Sequence, residues 1–262
     1  MVLPHGTMLK RVLLVVASLA IVVVVGVVVL MISIFSGNAP MPDSGPIAGG
    51  KAILLKDGFV ASFAIPTGNH HVALVDCGND VEAKGLLTYV RAQQLVVDGI
   101  FLTHAHTDHI TGCAAIQRAF PGAFLAANAL ELPTLTGQAP FHGFLTGMAG
   151  AKDSGLVAKP LHDGEETIVG KVTVKAFAVP GHTAGSMMYL ANGVLFVGDA
   201  ANGAADGHIE APPRSFSDDR VQAIASLQAL AKSLAASEIN TFAFAHSGPM
   251  TADLTKLLAV QP

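Results

Sequence analysis

Tryptophan is absent from the 262 residues, and tyrosine and cysteine occur twice each. Charged side chains make up 13% against 51% apolar ones, a chain more apolar and less charged than an average soluble protein. The two cysteines, Cys77 and Cys113, are too few to define a disulfide framework. A single bond in an oxidising compartment and two buried thiols both stay open. No basic run or aromatic–basic stripe occurs. Phosphate-backbone binding therefore has no electrostatic footprint, which argues against a nucleic-acid partner and against a nuclease.

The apolar excess has a location. Val12 to Phe35 contains no ionisable group, and at about 1.5 Å per residue such a helix spans a hydrocarbon core of about 30 Å. Lys10 and Arg11 stand before it, and no Lys or Arg follows until Lys51. This asymmetry predicts that residues 1–36 are a cytoplasmic tip and transmembrane signal anchor. The rest would then lie outside the cytoplasm on a single-pass membrane protein, periplasmic in a bacterium. The apolar run is too long for a cleaved signal peptide, whose removal would give a secreted protein. Residues 37–50, rich in Pro and Gly, read as a linker. Without the two charges of the N-terminal segment, the net charge moves from −4 to −6.

Residues 51–262 alternate short apolar runs with helical patterns. Strands are predicted at Lys51–Leu55, Phe59–Ile65, His71–Asp76, Val97–Thr103 and Ala123–Ala127, with helices over Val81–Leu95 and Asp108–Phe120. The second half repeats the scheme. Strands fall at Lys171–Val179, Ser186–Leu190, Val194–Val197 and Thr241–Ala245, and helices at Ser217–Ala236, with Ser217 as N-cap, and Ala252–Val260. Strands then helix, twice, predict an α/β fold of two stacked sheets with helices outside, a four-layer αββα sandwich. Residues 129–164 follow no period and read as a lid over the site.

Seven residues carry the chemistry. His104, His106, Asp108 and His109 form an H-x-H-x-D-H cluster, and His182, Asp199 and His246 each follow an apolar run that breaks at glycine. In an extended segment His104 and His106 point the same way and can share one ion. Asp108 and His109, where the chain turns helical, can reach a second. Neutral imidazoles and carboxylates suit zinc, and also iron or manganese.

This segment, with Gly-His-Thr-Ala-Gly-Ser at 181–186, Gly-Asp at 198–199 and His246, resembles the metallo-β-lactamase fold superfamily. The resemblance extends over residues 51–262. It implies that His104, His106 and His182 hold one Zn2+, that Asp108, His109 and His246 hold a second, and that Asp199 bridges them. In that scheme a bridging hydroxide attacks the carbonyl of a small ester, thioester, lactone or lactam, and Asp108 orients it and carries the proton. The bridging Asp is similar to that of glyoxalase II and lactonases. The chain ends soon after His246, so the helical domain that supplies the glutathione site in glyoxalase II is not expected. Alternatives are a mononuclear-iron oxidoreductase similar to persulfide dioxygenases and a zinc β-lactamase. Asp76 resembles a family position near the metals and would orient a ligand histidine. His208, just after the bridging Asp, would contact substrate.

Overall fold

The apolar runs become strands buried on both faces, as expected where a sheet is covered on each side. The structure, a computed structural model, describes residues 5–140 and 154–261, in two units, Met1–Gly37 and Asn38–Pro262. The first unit carries helix α1 (His5–Phe35), whose described side chains, at 10–26 and 29, are exposed. Among the described residues no helix is long and apolar enough to cross a membrane. The transmembrane anchor and the membrane partner expected from the sequence therefore find no support.

In the second unit one sheet is built from β1 (Gly45–Ile47), β2 (Ala52–Asp57), β3 (Val60–Gly68), β4 (His71–Val75), β5 (Val96–Phe101), β6 (Phe124–Asn128) and β7 (Lys159–Leu161). These lie side by side in chain order, antiparallel as far as β4 and parallel from β4 to β7. Helices α2 (Lys84–Ala92), α3 (Thr107–Ile110), α4 (Cys113–Ala119) and α5 (Leu132–Leu135) interrupt it. The second sheet holds β8 (Glu166–Val169), β9 (Val172–Ala178), β10 (Met187–Ala191) and β11 (Val194–Gly198). A small hairpin, β12 (Asn202–Gly203) and β13 (Ile209–Glu210), and helix α6 (Arg220–Ser233) precede β14 (Thr241–Phe244), β15 (Met250–Thr251) and α7 (Leu254–Leu258). Its order is β15-β14-β11-β10-β9-β8, and β11 and β14 are parallel.

Successive side chains of a strand point to opposite faces, and here each face has its own apolar layer. On β4, Val72 and Leu74 pack outwards with Leu87, Val90 and Ile116, whereas Ala73 and Val75 join the layer between the sheets. On β11, Phe196 points to that middle layer, where it meets Phe63, and Leu195 and Val197 pack on Leu227 of α6. Each such fully buried side chain stabilises the fold by roughly 1.5–3 kcal/mol. Helix, sheet, sheet and helix stack in the order expected.

Several local boundaries differ from the sequence reading. The helix expected over Asp108–Phe120 is broken at Thr111–Gly112. A Cβ at Gly112 would lie 2.3 Å from the Cys77 carbonyl oxygen, and a disulfide joins Cys77 to Cys113 across 36 positions. Helix α6 starts later than expected, because Asp219 caps it by accepting from the Gln222 N–H at 2.9 Å. The segment read as a linker contributes β1, and Ala39 donates to the Gly203 carbonyl at 2.7 Å. Of the stretch read as a lid, residues 141–153 lie outside the described residues.

Candidate metal centre

Five of the seven residues stand just beyond the C-terminal ends of strands. His104 and His106 follow β5, His182 follows β9, Asp199 follows β11, and His246 follows β14, while Asp108 and His109 open α3. Crevices beyond the carboxyl ends of strands are where α/β folds bind ligands.

The structure gathers these side chains into two groups. His104, His106, His182 and Asp199 form one, and Asp108, His109, Asp199 and His246 the other, with donor atoms in each group within 4.8 Å of one another. His182 Nε2 lies 3.2 Å from His104 Nε2 and 3.0 Å from His106 Nδ1, and 3.5 Å from Asp199 Oδ2. In the other group His246 Nε2 lies 3.3 Å from Asp108 Oδ2 and 3.2 Å from Asp199 Oδ2, and His109 Nε2 is 3.3 Å from Asp199 Oδ1. Donors bound at about 2.0–2.1 Å to a tetrahedral ion lie about 3.3 Å apart. These spacings match, while His104 Nε2–Asp199 Oδ2 at 4.0 Å and His109 Nε2–Asp108 Oδ2 at 3.7 Å are wider. Apart from facing each other at 3.3 Å, His109 Nε2 and Asp199 Oδ1 are buried without a hydrogen-bond partner, which a bound divalent cation would remedy.

The rings are aimed from behind. His109 Nδ1 donates to Asp76 Oδ2 at 2.8 Å, and His246 Nδ1 donates to the Phe59 carbonyl at 3.0 Å. Thr103 Oγ1 donates to Asp76 Oδ2, so it accepts from His104 Nδ1 at 3.1 Å. Ser217 Oγ donates to the Pro213 carbonyl and accepts from His182 Nδ1 at 3.2 Å. Four rings thus carry a proton on Nδ1 and turn Nε2, the nitrogen that a metal would take, inward. His106 alone turns Nδ1 inward. Phe59 also stacks on His246, ring centres 5.7 Å apart.

Charge divides the two groups. Burial, reinforced by neighbouring imidazoles, holds His104 well below its usual value and brings His106 to about 3 and His182 to about 4. Burial also opposes charge on His246 and His109, yet Asp199 lifts His246 to about 10 and raises His109 well above its usual value. Burial would raise Asp199 and Asp108, but His246 and His109 hold Asp199 far down and His109 brings Asp108 to about 2. Three neutral imidazoles stand ready as ligands, and two protons occupy the second group where a cation would sit.

Asp76 stands behind His109 and accepts from its Nδ1. His208 does not join the others. Its ring pairs with Asp206 and, at 3.2 Å, with Glu210, and it lines a separate cavity of about 750 Å³ with Arg220 and Lys256. The turn after β12 carries it outward, which proximity in sequence to Asp199 does not reveal. A cavity of about 110 Å³ opens beside His106, lined by Leu130, Glu131, Pro133 and Thr183. Glu131 escaped the sequence reading. It is 4% exposed, burial raises its carboxyl above the usual value, and only its position in an unassigned stretch hinted at a role.

Known proteins share these features. A family model described as the metallo-beta-lactamase superfamily matches residues 55–246. Hydroxyacylglutathione hydrolase 2 of Vibrio vulnificus strain YJ016 is 32% identical over 146 residues, 55% of this chain and 48% of the relative. A hydroxyacylglutathione hydrolase of Aeromonas hydrophila is 32% identical over 162 residues, 62% of this chain and 52% of the relative. The chain thus spans about half the length of the curated relatives it matches. Among solved structures, the BLEG-1 B3 metallo-beta-lactamase superposes with a TM-score of 0.61 at 21% identity, covering 78% of this chain and 93% of that one. ETHE1 from Myxococcus xanthus superposes with a TM-score of 0.54 at 21% identity, covering 74% of each. The structural likenesses speak for the fold, and the family match over most of the second unit, with a donor set to go with it, shows that the chain belongs to the metallo-β-lactamase superfamily.

Proposed function

We propose that this protein is a dinuclear metal-dependent hydrolase of small thioesters or esters, with lactones and lactams as further candidates. The observation that carries the reading is the pair of donor groups sharing one carboxylate, Asp199. His104, His106 and His182 would hold one ion, and Asp108, His109 and His246 the other. Zinc fits the mixed imidazole–carboxylate set. Bound metal would supply Lewis acidity towards a carbonyl oxygen and lower the pKa of water from 15.7 towards about 7.

The chain's own residues do the rest. Asp199 is held ionised between the two groups, so it can bridge them at working pH. Asp108 is the more accessible carboxylate, its side chain 21% exposed against 11% for Asp199. It can orient the attacking water and pass a proton to the leaving group. The names of the Vibrio and Aeromonas relatives favour thioesters among the candidates. The Cys77–Cys113 bond favours an oxidising compartment outside the cytoplasm.

The test is metal content by elemental analysis of protein purified without added metal, followed by rates on thioesters, esters, lactones and β-lactams. About two zinc per chain with thioester or ester turnover supports the proposal. One iron per chain with no hydrolysis replaces it with oxygen-dependent sulfur chemistry, and β-lactam turnover alone makes the protein a zinc β-lactamase.

A further inference from the structure

Glu131 is buried although it belongs to neither donor group. Its Oε2 accepts from the Ala105 N–H at 2.8 Å, and its Oε1 accepts from the Gly185 N–H at 2.9 Å and from Thr183 Oγ1 at 2.7 Å. Ala105 lies between His104 and His106, and Thr183 follows His182. One carboxylate therefore ties the turn carrying two histidines to the turn carrying the third. The fit is tight, for a Cβ at Gly185 would lie 2.6 Å from Glu131 Oε1. Three donors take up its oxygens, so it stands as a brace rather than a ligand. His109 and His246 are held differently, through Asp76 and the Phe59 carbonyl.

We infer that Glu131 is a positioning residue that fixes the mutual spacing of His104, His106 and His182 and so sets the affinity of the first ion alone. The inference rests on the reading of those three histidines as ligands of one ion. A carboxylate that holds ligand-bearing backbone acts like the hydrogen-bonded partners behind ligands, whose loss weakens metal binding by about 10–100-fold.

The full-length protein, stripped of metal, is titrated with zinc while long-range ¹H–¹⁵N spectra follow the histidine rings. In the wild type both sets of rings should respond. In Glu131→Gln an amide nitrogen faces backbone or hydroxyl donors. His104, His106 and His182 should then respond only at about 10–100-fold more zinc, while His109 and His246 follow the wild type. Thr183→Val removes one donor and leaves the carboxylate, so it should show the same selectivity by a smaller factor even if Glu131→Gln does not fold. Equal weakening of both sets, or no weakening in either variant, overturns the inference and leaves the metal centre standing. A wild type whose rings ignore zinc overturns the metal centre and the inference with it.

Discussion

Replacing Asp76 by Asn changes one atom and one charge, and the consequence can be followed to the metal centre. The backbone at 76 has φ 60°, a left-handed conformation that Asn tolerates as Asp does, so the chain path is kept. Asp76 accepts three hydrogen bonds, from the Thr103 N–H, from Thr103 Oγ1 and from His109 Nδ1, each at 2.8 Å. Asn offers one acceptor oxygen. If that oxygen keeps the Thr103 N–H, its NH2 faces two donors, and His109 relieves the conflict by moving its proton to Nε2. That nitrogen is then lost to a metal. Loss of such a partner weakens metal binding by about 10–100-fold, or about 1.4–2.7 kcal/mol. The figure agrees with the roughly 1.5–3 kcal/mol of a hydrogen bond to a charged group. Competition with a chromogenic zinc chelator should show the loss in one of the two binding steps, and hydrolysis should fall with occupancy. Affinities within about twofold of the wild type in both steps would refute the reasoning.

Asp199→Ala removes the carboxylate common to both groups, so metal occupancy and turnover should fall together; normal turnover would end its bridging role. Opening the Cys77–Cys113 bond releases a loop closed across 36 positions, which chain entropy values at roughly 3–4 kcal/mol. Urea unfolding with and without reductant should show that difference, and an unmoved midpoint counts against the bond. In the metal-free protein burial opposes a charge on His246, but Asp199 and Asp108 raise it to about 10. Below that pH it keeps its proton, so zinc loading at pH 7 expels it. Calorimetric heats should therefore vary with the ionisation enthalpy of the buffer, and a flat series contradicts this.

The residues that form the two donor groups were legible because their signals are local. Four of them sit within six positions, where the period of an extended chain and the first turn of a helix fix which side chains go together, and the other three mark the places where buried strands end at glycine. The layered sandwich was legible for a similar reason, since runs of strands followed by a helix recur twice along the chain. Short edge strands such as β1, β7 and β15 escaped notice, because two or three residues carry no period.

By itself, then, the sequence determined the seven donor residues and the order of the layers, both properties of neighbouring residues. Tertiary structure decided what depends on partners far along the chain. Cys77 met Cys113, Asp76 went behind His109, and Glu131 reached the backbone at Ala105 and Gly185, 26 and 54 positions away. It also carried His208 away from the site its position in sequence suggested. Whether a polar side chain lies at the surface or braces a buried centre is settled only when two sheets close over it, for burial without a partner costs what a hydrogen bond returns.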